Sequence, residues 1–303
     1  MLRFGTKTEP FAYHRTASVW FYNHKFWIND PSAIVFMRYG KFRDVEWNKL
    51  WVSWIALAGM VMTYGEQLDE LPKEFIDIYK QVFPPLNVAG RPLDIWENQP
   101  YTLWGMQPDP EDDSYCLFGV FDLDGKGKRN IDINLDEVLS RSTEWTEIDS
   151  VPGKYLLWDF WNEQLLESDA YKMELPMPHK SCRLFALRKY KGVPQLLGTN
   201  GHFSMGFTET RELDWNDSDK TLSGFVKGNG GDATDLFFYL PENFAIQNIN
   251  LNNQEIQYSI QNKVLKVNIP PSDEMKLISL KFKGNAENVE LRSFVKGDAA
   301  KRY

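Results

Sequence analysis

In the first third of the chain the apolar residues follow two patterns, short unbroken runs and stripes at helical spacing. Val19–Tyr22 and Ala33–Met37 are short runs flanking Asn29-Asp30-Pro31, where Pro31 breaks any helix and biases Asp30 towards an extended conformation. Trp47, Leu50, Trp51, Trp54, Ile55 and Ala58 recur at i, i+3, i+4 and i+7, one face of a helix. Asp44 stands where an N-cap is wanted, and Gly59 where the face ends. Met60–Thr63 is again a short apolar run, suited to a buried parallel strand covered on both faces. Tyr64-Gly65-Glu66 is its exit loop, so Phe26–Leu68 reads strand, helix, strand. Leu71-Pro72 opens a second helix with proline near its first turn. Phe75, Ile76, Tyr79, Val82 and Phe83 form its apolar face, and Pro84-Pro85 stops it. This alternation over residues 1–85 is the mark of parallel α/β architecture.

The texture then changes. From about Tyr101 onward no long helix is predicted. Short apolar runs recur at Tyr115–Phe121, Lys154–Trp158, Leu184–Arg188, Leu222–Val226, Leu236–Leu240, Val264–Ile269 and Lys276–Phe282. Gly, Pro, Asn and Asp clusters separate them, which suits an antiparallel β-sandwich. The chain thus divides into strand–helix units over 1–85, a linker over 86–100 and a sandwich over 101–303. Gly228–Asp232 is its strongest internal punctuation and a point where the sandwich subdivides.

Composition narrows the function classes. With 303 residues and 43% hydrophobic content the chain can bury two ordinary cores. Eleven Trp and 20 Phe serve either as core or as stacking platforms for the apolar faces of sugars. A formal charge of -8 argues against a nucleic-acid groove, and Lys126–Arg129 reads as a solvated loop. Cys116 and Cys182 lie in apolar runs, as buried thiols do, with neither a disulfide framework nor zinc spacing. Four dispersed histidines give no metal-ligand pair, so no metal is expected. No apolar run approaches membrane-span length. No signal peptide opens the chain, although a start upstream of Met1 would hide one, and the compartment is left open. Asp122-Leu123-Asp124-Gly125 fails the EF-hand template and reads as a hairpin turn. Asn216-Asp217-Ser218 matches a glycosylation acceptor by pattern alone.

The segment Phe26-Trp27-Ile28-Asn29-Asp30-Pro31 resembles a recurring element of glycoside hydrolase clan D, families 27 and 36, the α-galactosidase-like enzymes. There a Trp-Asn-Asp-Pro-Asp segment ends the seventh strand of a TIM (β/α)8 barrel. The Trp-rich stretch Trp47–Leu57 and the following Ala58–Leu68 are similar to the eighth unit. Pro84-Pro85 and Arg91-Pro92-Leu93-Asp94 resemble the barrel-to-sandwich crossing of family 36. Trp158-Asp159-Phe160-Trp161, and Leu197-Gly198-Thr199 followed by His202, look like segments of the C-terminal sandwich. The resemblance spans roughly residues 1–227 and rests on the order of these motifs. It implies an α/β plus all-β fold: the last barrel units, then an antiparallel sandwich.

The resemblance also implies retaining hydrolysis of terminal α-linked galactosyl or related sugars by two carboxylates about 5 Å apart, with neither metal nor organic cofactor. The family's nucleophile ends the fourth barrel strand, so this chain reads as a C-terminal fragment without it, inactive in isolation. Arg3-Phe4-Gly5-Thr6-Lys7 falls where relatives carry Arg-x-Gly-x-Asp, which sets Lys7 at the acid/base position. A protonated lysine has no lone pair and cannot replace that carboxylic acid. Ser32 replaces the second acid of Asp-Pro-Asp. Substrate contacts then fall to Trp27, Asn29, Asp30, Arg3 and Glu66, with an α-galactoside or related glycan as partner.

Each has a plainer reading. Asn29-Asp30-Pro31 can be a strand-end turn over a core Trp27, Glu66 an exposed loop carboxylate, and Arg3 a solvated terminus. Trp158 and Trp161 fit inter-sheet packing better than a sugar platform, given Leu156, Leu157 and Leu165 beside them. The alternative for the whole chain is a non-catalytic carbohydrate-binding or structural sandwich protein. Missing barrel units can come from upstream sequence, a second polypeptide or self-association into a homo-oligomer.

Overall fold

The computed structural model describes residues 13, 16–31, 33–38, 41–97, 102–112, 114–122, 129–142, 154–168, 172–229 and 231–286. They form two compact units: the first within 1–152 and 170–185, the second within 153–169 and 186–293. The described chain is mostly β-sheet with few helices.

The first unit begins with a 3-10 turn at Trp20–Tyr22, then a short hairpin, β1 (Met37–Arg38) and β2 (Lys41–Phe42). Helix α1 (Val45–Ala58) starts on Asp44, whose Oδ1 accepts from the Glu46 and Trp47 amides at 2.9 and 3.3 Å. It ends at Gly59, φ +66°, a left-handed C-cap. A Cβ there would lie 1.9 Å from the Val88 carbonyl oxygen, so close backbone approach as well as φ requires glycine. The predicted face holds Leu50, Trp54, Ile55 and Ala58, but Val52, Ala56 and Leu57 are buried too. Helix α1 is covered nearly all round in its second half because α2 (Lys73–Val82) packs on one side. β4 (Leu103–Met106) and β5 (Tyr115–Phe121) pack against α1 as well. Phe75, Ile78 and Val82 are the buried residues of α2, while Phe83, placed on its face by the periodicity, is exposed just past its end.

The two strands expected around α1 take a reduced form. Ile34 and Tyr64 make a parallel bridge: the Ile34 amide donates to the Thr63 carbonyl at 2.7 Å, and the Gly65 amide to Ile34 at 3.0 Å. The Val61 amide donates to the Asn29 carbonyl at 3.0 Å. Between Asn29 and Ile34 stands Pro31, which has no N–H to continue a ladder, so the pairing stays a pair of isolated contacts.

β3 (Arg91–Pro92), β4 and β5 are antiparallel neighbours. Buried Asp94 ties the β3 exit to β4 through the Thr102 amide at 2.7 Å and the Leu103 amide at 3.1 Å. Every residue of β5 is buried, since both its faces are covered. β6 (Arg129–Asn134) leads into α3 (Leu135–Ser142), a helix the periodicity did not predict because its stripe spans two turns. Its start is nonetheless capped: Asn134 Oδ1 accepts from the Asp136 and Glu137 amides, and the Asn134 side-chain amide donates to Glu137 at 2.8 Å.

The chain then enters the second unit for the hairpin β7 (Tyr155–Asp159) and β8 (Gln164–Ser168). It returns to the first for β9 (Lys172–Met177), paired with β6. β10 (Cys182–Lys189) starts in the first unit and ends in the second. There β11 (Gln195–Thr199), β12 (Thr210–Asn216), β13 (Thr221–Val226), β14 (Thr234–Tyr239) and β15 (Phe244–Leu251) follow. β16 (Gln254–Glu255), β17 (Tyr258–Gln261), β18 (Val264–Ile269) and β19 (Lys276–Gly284) complete it.

Two antiparallel sheets, β11-β14-β18-β17 and β12-β13-β19-β15-β16, form a β-sandwich. Its core comes from alternate residues of both, including Leu222, Val226, Phe238, Val267, Ile278, Leu280 and Phe282. All seven predicted apolar runs are strands. Trp158 is buried and stacks on Phe237 with centroids 4.2 Å apart, as its leucine neighbours foretold. A Cβ on Gly198 would lie 2.4 Å from the Trp158 ring, so glycine there is what admits the indole. Near it, the buried Glu209 carboxylate accepts from Thr199 at 2.8 Å, Thr208 at 2.9 Å and Ser204 at 3.4 Å, and Ser204 in turn contacts His202. Cys116 and Cys182 are buried thiols that form no disulfide.

Candidate functional site

Of the residues singled out above, Glu66 lies past the carboxyl end of the second parallel segment, while Trp27, Asn29 and Asp30 stand where the first one begins. Trp27 is 55% exposed and packs at a tilt against Tyr22 and Phe26, with ring centroids 5.0 and 6.2 Å away. Its indole N–H donates to Asn29 Oδ1 at 2.9 Å. Asn29 itself is buried: its backbone amide donates to Asn23 Oδ1 at 2.8 Å and its Nδ2 to the Val19 carbonyl at 3.2 Å. Asp30, the next residue, is exposed.

Asn23 and His24 anchor this turn to the end of α1. Asn23 Nδ2 donates to the carbonyls of Ala58 at 2.8 Å and Gly59 at 3.2 Å, and His24 Nε2 meets the Gly59 carbonyl at 2.7 Å. The last carbonyls of a helix have no partner within it, and these two side chains supply one. Nothing in the local sequence announced them, since their partners lie 35 and 36 residues away.

Glu66 lies just beyond the second parallel segment. Its Oε2 accepts from the Phe36 amide at 3.0 Å. Beside it a cleft of about 320 Å³ is lined by Tyr64, Gly65, Glu66, Gln67, Glu70 and Leu71. The Tyr64 ring rests between Phe36 and Tyr79, with centroids 5.7 and 5.0 Å away. Burial pushes the Tyr64 phenol well above its ordinary range, and the charges of Glu66 and then Tyr79 push it further. The Tyr64 hydroxyl is itself buried, so the Glu66 carboxylate rather than the phenol is the group the cleft presents to a hydroxyl. Tyr64 was legible only as part of an exit loop; its ring contacts made it part of a site.

Arg3, Lys7 and Ser32 lie outside the described residues. Among the described residues no group of three or more His, Cys, Asp or Glu side chains is placed to hold a metal. No described helix is long and apolar enough to cross a membrane.

No protein-family model and no curated protein matches the chain. Among solved structures it is similar to glycosidases of the α-galactosidase kind, at low identity and partial coverage. α-Galactosidase from Saccharomyces cerevisiae is 11% identical with a TM-score of 0.43, over 59% of this chain and 51% of that one. α-Galactosidase I from Mortierella vinacea is 11% identical with a TM-score of 0.46, over 57% and 42%. A family 27 β-L-arabinopyranosidase from Geobacillus stearothermophilus is 9% identical with a TM-score of 0.48, over 61% and 42%. The matched region thus spans about half or less of each of these enzymes.

Proposed function

We propose that the chain is the carboxyl-terminal part of an α-galactosidase-type glycoside hydrolase, carrying the last two barrel units and a sandwich, and that it serves hydrolysis of α-linked galactosyl sugars only with further barrel strands. The observation that carries this reading is the parallel contact of Ile34 with Thr63 and Gly65 across helix α1. Parallel segments joined by a helix are the repeating unit of a (β/α)8 barrel, and such barrels keep their chemistry at the carboxyl ends. Glu66 follows such an end, whereas Trp27 and Asp30 come before Ile34, where the first segment begins, and there Trp27 offers its ring to the apolar face of a sugar.

Galactose titrated into the purified chain is expected to shift the Trp27 indole N–H signal, and Trp27→Ala or Glu66→Gln to weaken binding. An unresponsive indole overturns the site. Turnover of a chromogenic α-galactoside by the purified 303-residue chain overturns the claim that it needs further strands.

One observation favours the second reading, a non-catalytic carbohydrate-binding sandwich. Asn29 spends its amide on Trp27 and the Val19 carbonyl, leaving less of it for a sugar hydroxyl.

A further inference from the structure

The outward face of the sheet β12-β13-β19-β15 carries three rows of side chains at right angles to its strands. In the first row Arg211 stands opposite Phe225, and Phe225 opposite Leu277. Both apolar residues are exposed, Phe225 by 38% and Leu277 by 42%. In the second, Asp214, Ser223, Ser279 and Asn250 are consecutive register partners across four strands. In the third, Asn216, Thr221, Lys281 and Asn248 stand in the same relation. The middle row holds the two smallest side chains at its centre. It is therefore the floor of a shallow trough, walled by Phe225 and Leu277 on one side and by Thr221 and Lys281 on the other. Three interstrand steps of about 4.8 Å make it roughly 14 Å long.

We propose that this trough binds a short run of neutral sugar residues, at a site separate from the Trp27–Glu66 region. The trough lies on a sheet face, where backbone N–H and C=O groups are already paired within the ladders, so side chains must do the recognising. An extended peptide needs a strand edge for its main-chain bonds and would add along β12 rather than lie across the face. The walls carry cations at Arg211 and Lys281, while the floor carries the Asp214 carboxylate and three neutral side chains, Ser223, Ser279 and Asn250. These three neutral hydroxyl and amide groups suit an uncharged, hydroxyl-bearing ligand. Phe225 supplies the flat apolar wall on which the C–H face of a sugar ring rests, while Ser223, Ser279 and Asn250 meet its hydroxyls. The proposal takes only the class of ligand from the reading above, and its residues belong entirely to the second unit.

The test uses the full chain and neutral tetrasaccharides of the α-galactosyl, β-1,4-glucosyl, β-1,4-mannosyl and β-1,4-xylosyl series, titrated by calorimetry. At least one is expected to bind, with Phe225→Ala weakening it about tenfold. Ser279→Arg, which fills the floor, should abolish binding, and Asn250→Ala, on another strand, should reduce it. Each variant is compared with the parent by thermal melting, so that loss of fold is not read as loss of ligand. Trp27→Ala should leave this binding intact even where it abolishes galactose binding in the first unit. No binding by any of the four series overturns the proposal, as does binding lost in Trp27→Ala but kept in Phe225→Ala. Capture of an unstructured peptide in place of the sugars, sensitive to Phe225→Ala, overturns it equally.

Discussion

The Phe36 amide donates to the Glu66 carboxylate at 3.0 Å, joining the exit of one parallel segment to the exit of the other. This bond fixes the carboxylate near the Tyr64 phenol, whose proton is held by burial first and by the Glu66 charge second. Because the folded phenol titrates above its unfolded value, its contribution to stability is complete below about pH 10 and is lost as pH rises through the folded value. In an absorbance titration of phenolate, Glu66→Gln is expected to bring one tyrosine down in pH while the amide keeps the bond to Phe36. An unchanged alkaline limb in Tyr64→Phe would show that another tyrosine governs it.

Asn23 offers a sharper test of the turn that holds Trp27. Its side chain donates to two helix-end carbonyls and accepts from Asn29, all in a buried setting. Asn23→Ala takes the acceptor from the Asn29 amide and one of two partners from each carbonyl, the others being Gly90 and His24, and should cost roughly 1–3 kcal/mol, read from urea unfolding. Trp27 emission should shift as its turn loosens, which a purely global loss of stability would not produce under native conditions.

In the sandwich unit, Gly198 and Trp158 form a matched pair. Gly198→Ala should destabilise by roughly 1–3 kcal/mol, because the methyl group enters the space of the indole. Trp158→Phe alone opens a gap. Combined with Gly198→Ala it should cost less than the sum of the two, an interaction of about 0.5–3 kcal/mol in a double-mutant cycle. Strict additivity would mean that the two side chains relax independently.

Lys263 is a surface counterpart. Partial burial lowers its basicity, but Glu167 at 3.2 Å and Glu242 at 3.3 Å outweigh it, and its pKa is raised. A cation with a raised folded pKa stabilises fully below its unfolded value and loses that contribution as pH rises through the folded one. Glu167→Gln should return the Lys263 amine towards its ordinary titration, followed by NMR. High salt should erase most of the difference, as for any exposed pair.

Local signals carried much of the fold. Asp44 and Gly59 bracket α1 through contacts within a turn of the chain, so residue type alone located both ends. The seven strands were legible because their apolar runs sit between turn-forming clusters. Helix α3 was missed although Asn134 and Glu137 marked its start, since two turns give too little periodicity to weigh against a strand-rich background. The strand pairing around α1 was legible as a tendency, but its reduction to single contacts depends on where Pro31 falls along the partner segment.

The candidate site was less readable. Trp27, Asp30 and Glu66 were named from sequence, but that Asn29 turns inward towards Asn23 and Val19 depends on contacts set by folding. Tyr64 gained its role from rings contributed by Phe36 and Tyr79. The Phe225–Leu277 wall exists only once strand register is known, because the two residues are 52 positions apart and become opposite through the β13–β19 ladder.

The two cysteines have a practical consequence. Cys116 and Cys182 are the chain's only thiols, and both are buried. Maleimide reagents should therefore pass over the native protein and mark it only after unfolding. A cysteine placed by design on an exposed strand, for example at Ser259, would then be the sole reactive handle. Fluorophores or spin labels can be attached to either unit in turn without first stripping the protein of its own sulfur.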